Sequence, residues 1–217
     1  MRSIAWAGML LVSGLLLAPA AGALQEELRN DGFEGGQPVT FQAGFIEGEI
    51  GAARLTPSIT CPCSLESVSL LLGGSPETVP IVLHIWDDPP GGVDPGPLVY
   101  LDSFNLTGSN NALQLIDLSA AGLIVTGPFR VGIEFTHAGL PSIGSDTDGS
   151  IAADDNFILA DVSPLGFFWL RSADLGVTGD WIIRASIVPE PSSPDLLISG
   201  AVFLVALSHL RCERGRG

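Results

Sequence analysis

Apolar and polar residues alternate along much of this chain with a period of two. In Phe129-Arg130-Val131-Gly132-Ile133-Glu134-Phe135 the large apolar side chains fall on every second position, so one face is buried and the other carries Arg130 and Glu134. The stretch from Val79 to Ile85 follows the same pattern and sets His84 on the opposite face. Comparable runs at 39–50, 65–72, 98–106, 112–118, 156–159, 167–171 and 181–188 predict further strands. Between them stand turn-forming clusters: Gly73-Gly74-Ser75-Pro76, Pro89-Pro90-Gly91-Gly92, Gly108-Ser109-Asn110-Asn111 and Gly127-Pro128. Helix is confined to a turn or two around Ser119 to Gly122, because no long 3.6-residue period occurs there or elsewhere in the middle of the chain. Many short strands without a fixed-period repeat predict an all-β fold of two antiparallel sheets packed face to face, an antiparallel β-sandwich of jelly-roll-like kind over residues 24–187.

The two ends break this pattern. Residues 1–23 have a charged start at Arg2, an apolar run from Ile4 to Leu17 and a small-residue end at Ala21-Gly22-Ala23, the layout of a secretory signal peptide cut by signal peptidase. Residues 188–217 hold Pro189-Glu190-Pro191, an apolar stretch from Leu196 to Leu210, and then Arg211, Arg214 and Arg216. Fifteen helical residues reach only about 22 Å against a hydrocarbon core of about 30 Å, and the arginines favour the cytoplasmic side.

This tail resembles the PEP-CTERM sorting signal of exported bacterial proteins, on the strength of Pro189, Glu190 and Pro191, the short apolar segment, and Arg211, Arg214 and Arg216. The resemblance covers about 30 residues. It implies recognition by an exosortase, transient residence in the inner membrane through a C-terminal transmembrane helix, and a membrane-anchored precursor that ends at the cell surface or outside the cell, in bacteria that make exopolysaccharide and biofilm. The phrases Asn30-Asp31-Gly32-Phe33-Glu34 and Gly179-Asp180-Trp181-Ile182-Ile183-Arg184 also look like those that open and close uncharacterised secreted bacterial domains.

Charge narrows the partners. Between Leu24 and Val188 there are 21 Asp and Glu against five Arg, a net of about −16. Such a surface repels phosphate backbones and anionic headgroups, which excludes nucleic acid and a basic membrane-docking patch. Glycine and proline number 27 and 16, short of the share that marks low-complexity disorder, so they are read as turns.

Few residues suggest chemistry. The loop around Asp146, Asp148, Asp154 and Asp155 matches several positions of a calcium loop, but Gly144 stands at its first position and Asp155, where a bidentate Glu belongs, at its twelfth. It is no EF-hand. It reads either as a looser Ca²⁺ site or as a solvated Asp-Gly turn. Cys61 and Cys63 are the two cysteines of the exported part; an oxidising compartment favours a disulfide, and the alternatives are a local staple, two inert thiols, or an easily reduced bond. Two Cys alone do not make a tetrahedral zinc site. No Gly-x-Ser-x-Gly, His-Glu-x-x-His or phosphate-binding glycine loop is present, so no catalytic residue is nominated. Trp86, Tyr100, Phe167, Phe168, Trp169 and Trp181 are either core or a platform for stacking sugar rings. In Phe167-Phe168-Trp169 consecutive side chains face opposite sides, so at least one points away from the shared core. The reading is a non-enzymatic surface or matrix protein with a polysaccharide ligand; the alternatives are a secreted polysaccharide hydrolase and a purely structural surface protein.

Overall fold

The computed structural model describes residues 25–88, 91–152 and 154–190. Fourteen strands follow one another: β1 (Glu26–Arg29), β2 (Val39–Phe41), β3 (Ile50–Leu55), β4 (Cys63–Leu70), β5 (Leu72–Gly73), β6 (Thr78–Asp87), β7 (Leu98–Thr107), β8 (Gln114–Asp117), β9 (Ile124–Val125), β10 (Phe129–Phe135), β11 (Ser142–Asp146), β12 (Asn156–Asp161), β13 (Phe167–Arg171) and β14 (Ile183–Pro189). Two 3₁₀ turns, Ser119–Ala121 and Ser172–Leu175, are the helical content of the described residues. The first lies where the sequence places it.

All described strand pairs are antiparallel. One sheet runs β1-β14-β4-β8 with β9 also on β4, a second runs β13-β12-β3-β10-β6-β7, and a small third sheet, β2-β11-β5, adjoins them. The shared core takes Phe129, Val131, Ile133 and Phe135 from β10, Ile81, Leu83 and Ile85 from β6, and Leu65, Val68, Leu70, Ala185 and Ile187 from β4 and β14 of the other sheet. This is the burial that the alternation in β10 and β6 demands, and it is the main driving force for the fold. The fold is all-β and antiparallel, with two sheets face to face.

Some strand bounds differ from those the pattern predicts. Of the run 39–50 only its two ends are strand: β2 stops at Phe41, and β3, in a different sheet, begins at Ile50 and continues to Leu55 beyond the predicted residues. Gly48 takes a left-handed φ of 87°, and the Glu49 carboxylate accepts hydrogen bonds from the Ile46 and Asp161 amides, which turns the chain between them.

No helix among the described residues is long and apolar enough to cross a membrane. This corrects the expectation of a C-terminal transmembrane helix and, with it, of a membrane-anchored precursor exported through the inner membrane and handled by signal peptidase and exosortase on its way to the cell surface. The signal-peptide stretch 1–23, the apolar stretch 196–210, Pro191, Arg211, Arg214 and Arg216 lie outside the described residues. Pro189 ends β14 opposite Cys63, and the Glu190 amide donates to the Pro62 carbonyl at 3.0 Å.

Candidate functional site

The six-stranded sheet turns one face to the core; its other face carries Trp86, His84, Glu134, Arg130, Phe167 and Trp169. Register places Trp169, Leu159, Ile50 and Glu134 in one row across β13, β12, β3 and β10, and Arg171, Phe157, Ala52, Gly132 and His84 in the next, which reaches β6. Trp86 lies over Gly132, where a Cβ would come within 2.7 Å of the indole. A glycine is therefore needed at 132 for the tryptophan to lie down on the sheet. Trp86 meets Trp169 edge to face at 5.5 Å and stacks on His84 at 5.0 Å, and the His84 Nε2 lies 2.7 Å from Glu134 Oε2.

Phe167 stands two residues before Trp169 on edge strand β13 and so shares its face, about 7 Å away. It rests against Gly48 and is 47 % exposed. Phe168 is 48 % exposed but points to the other face, on the side of Ala160. Phe167 and half-buried Trp169 thus form an aromatic strip beside Trp86, with Asp161 as the neighbouring carboxylate on the same face; Glu134, three strands farther across on β10, is bonded to His84. Of the aromatic residues singled out in the sequence, Trp181 is wholly buried, with its indole N–H donating to the Phe157 carbonyl at 3.2 Å, and Tyr100 packs against the shared core with its hydroxyl donating to Asp102. Both belong to the fold and not to the strip.

Beneath the strip lies a buried ionic network. The Asp88 Oδ2 accepts from Arg54 Nε at 2.9 Å and from Arg130 Nε at 2.7 Å. Arg130 also stacks 3.6 Å over the Phe157 ring and 5.0 Å from that of Trp169. The second nitrogens of these arginines reach backbone carbonyls: Arg130 donates to Val93, and Arg54 donates to Gly92 and Asp154. Burial pushes the Arg130 pKa down, against the opposing pull of Asp88. The alternation in β10 puts Arg130 on this face; no local signal foretells that Trp86, Trp169 and the 91–97 segment cover it.

The acidic loop divides among separate jobs. Asp146, the last residue of β11, is buried and accepts from the Gly32 amide at 2.7 Å and the Asp180 amide at 2.9 Å. Asp148 is exposed and accepts from the Ser150 amide and hydroxyl, which hold its carboxyl below the usual range. Asp154 pairs with Arg171 at 2.7 Å, and Asp155 lies 3.8 Å from Arg54 while burial raises its carboxyl. The four carboxylates expected to share a calcium ion therefore do not form one ligand set, and no three His, Cys, Asp or Glu among the described residues gather in a way that would hold a metal.

Asp180 is the carboxylate the sequence reading missed. It is buried, and it accepts from the Ala152 amide and from the Asn156 side chain. Burial, with the charges of Asp146 and Asp148, raises its pKa. A raised native value means that the folded state holds the proton more tightly than the unfolded state does. The contribution of Asp180 to stability is therefore greatest in acid and declines as pH rises from the ordinary aspartate value through the raised one. Asp180→Asn keeps an acceptor oxygen and removes the charge. It should flatten the fall in melting temperature as pH rises above the ordinary aspartate value and melt above the parent at neutral pH; thermal scans from acid to neutral pH check it.

The two phrases noted near the ends of the domain also meet. Arg184 donates from Nη2 to Asp31 Oδ1 at 2.6 Å and from Nε to Oδ2 at 3.1 Å, and also to the Phe33 carbonyl. Cys61 and Cys63 are joined by a disulfide.

No family model and no curated protein matches this chain. Two solved structures resemble it. The cysteine protease and lectin-like domains of Cwp84, a surface layer associated protein of Clostridium difficile, align with a TM-score of 0.46 and 12 % identity over 70 % of this chain and 36 % of that one. The clostridial cysteine protease Cwp84 after propeptide cleavage aligns with a TM-score of 0.50 and 13 % identity over 76 % of this chain and 40 % of that one. The chain thus spans about two fifths of the solved protein or less, and the likeness concerns the fold alone.

Proposed function

We propose that this protein is a surface or extracellular β-sandwich that binds carbohydrate on the outer face of its six-stranded sheet and catalyses no reaction on it. The observation that carries the reading is the strip formed by Phe167 and Trp169. An aromatic side chain nearly half exposed beside a second one, with the Asp161 carboxylate next to them on the same face, suits a sugar: the C–H face stacks on the rings and a hydroxyl donates to Asp161. The Cys61–Cys63 disulfide supports a location outside the reducing cytosol. The strongly acidic surface favours neutral over anionic polysaccharides. Crossings of the chain between sheets at β3 to β4, β7 to β8, β9 to β10 and β13 to β14 support a jelly-roll-like arrangement.

A screen of the full chain against immobilised neutral and anionic polysaccharides tests the reading. A neutral glycan should be retained, and Phe167→Ala should weaken it by about tenfold, the loss expected for one stacking contact of 1 to 1.5 kcal/mol. Phe168→Ala, on the opposite face, should leave binding unchanged. Equal losses from both substitutions, or release of reducing ends from the bound glycan, would contradict the proposal.

A further inference from the structure

The Cys61-Pro62-Cys63 turn takes no part in the sugar-binding reading, and its two cysteines differ. Cys63 is fully buried as the first residue of β4, where it pairs with Pro189 of β14 and Val125 of β9. Its sulfur has the Thr60 carbonyl at 4.0 Å. Cys61 precedes the strand and is half-buried, between exposed Thr60 and exposed Pro62. The turn is further pinned by the hydrogen bond from the Glu190 amide to the Pro62 carbonyl.

Strand pairing on both sides thus holds Cys63 whether or not the sulfurs are joined. A cross-link stabilises chiefly by closing a long loop in the unfolded chain, and this one spans a separation of two residues. The bond therefore adds little to the fold, and of its two sulfurs only one lies on a residue open to solvent. Partly exposed disulfides of this kind are the ones that exchange.

We propose that Cys61–Cys63 is an exchangeable disulfide that takes two electrons from an external dithiol, with attack directed at Cys61. One thiolate of the dithiol attacks the Cys61 Sγ. The Cys61–Cys63 bond breaks with its electron pair on the Cys63 Sγ, which takes up a proton and stays neutral in its apolar setting. The second thiolate of the reagent then attacks its own sulfur in the mixed disulfide, closing the reagent's internal disulfide and freeing Cys61, which takes up the second proton. The dithiol is oxidised, the protein disulfide is reduced, and the two protons the reagent loses end on Cys61 and Cys63. With a monothiol, Cys63 sits beside the mixed disulfide and recloses it, so dithiols should be the effective reductants. Neutral dithiols should react faster than anionic thiols, because the domain is strongly negative.

The test is reduction of the folded full chain by millimolar dithiothreitol, quenched with iodoacetamide and mapped by peptide mass. Mapping keeps Cys212, which lies outside the described residues, apart from the pair. Cys61 should become labelled without urea and Cys63 once urea is added with the iodoacetamide, the melting temperature should move by no more than about 3 °C, and oxidised glutathione should form its mixed disulfide on Cys61 of Cys63→Ser, where no neighbouring thiol can reclose it. In single variants, Cys61 in Cys63→Ser should alkylate at least about tenfold faster than Cys63 in Cys61→Ser. Resistance of the bond until the chain is unfolded, no glutathione on Cys61 of Cys63→Ser, equal alkylation rates, or a loss of ten degrees on reduction would each overturn the proposal.

Discussion

Asp88→Ala should destabilise the protein by about 3 to 5 kcal/mol, the cost of removing one partner from a buried ion pair. Asp88 is 1 % exposed and its Oδ2 receives a hydrogen bond from each of two buried arginines. Without it the guanidiniums of Arg54 and Arg130 face each other with no buried counter-charge, and only backbone carbonyls and half-buried Asp155 remain as acceptors. Arg130 Nη2 already has no hydrogen-bond partner among the described residues, so removing Asp88 deepens an existing shortage of acceptors. For a domain of this size each kcal/mol moves the melting temperature by about 2 to 4 °C, so a drop near 10 °C is expected. Thermal or urea melting checks it, and a drop under about 2 °C would show that the network is not what holds this face. Replacing all three residues by apolar ones of similar volume should cost much less, because the desolvation of three charges disappears with them.

Gly179→Ala should be nearly as damaging, by about 3 kcal/mol or more. Gly179 has a φ of 86°, and a Cβ there would stand 2.0 Å from the Asp146 carbonyl oxygen and 2.9 Å from its Oδ1. The left-handed backbone costs a substituted residue about 1 to 3 kcal/mol, and the clash with main chain adds to it. The displaced group is the one that exchanges hydrogen bonds with Asp180, whose amide donates to Asp146 Oδ1 and whose carbonyl accepts from the Asp146 amide at 3.0 Å. Gly149→Ala is the control: φ is 90° but a Cβ would meet nothing within 4 Å, so it should pay only the backbone cost. Equal melting temperatures for the two variants would contradict the packing argument.

How far the fold can be read from the sequence depends on where each strand's partners lie. β10 and β13 occupy the predicted residues, because alternation in one and consecutive aromatic residues in the other are local signals. β11 is not foreseen: Ser142-Ile143-Gly144-Ser145-Asp146 is mostly polar and looks like a turn, yet all five residues are buried because β2 and β5 flank the strand. Polar side chains are tolerated there through tertiary partners, as when the Ser142 hydroxyl donates to the Gln42 carbonyl. The acidic loop shows the same limit. Asp148 is answered within the loop by Ser150, but the partners of Asp146, Asp154 and Asp155, namely Gly32, Asp180, Arg171 and Arg54, come from four other places in the chain. Asp31 and Arg184 are 153 residues apart and are brought together by the pairing of β1 with β14. For the candidate site, period-two spacing puts Phe167 and Trp169 on one face and Phe168 on the other, but whether that face is the core or the outside depends on the register with β12.

The most direct test of the carbohydrate site is to titrate the isotope-labelled protein with the glycan retained in the screen and map the chemical shifts that move. The account predicts movement in the amides of β12 and β13 and in the indole N–H signals of Trp169 and Trp86, with the buried Trp181 indole unmoved. Shifts confined to residues 146–155, or none on β13 while the glycan binds, would contradict it.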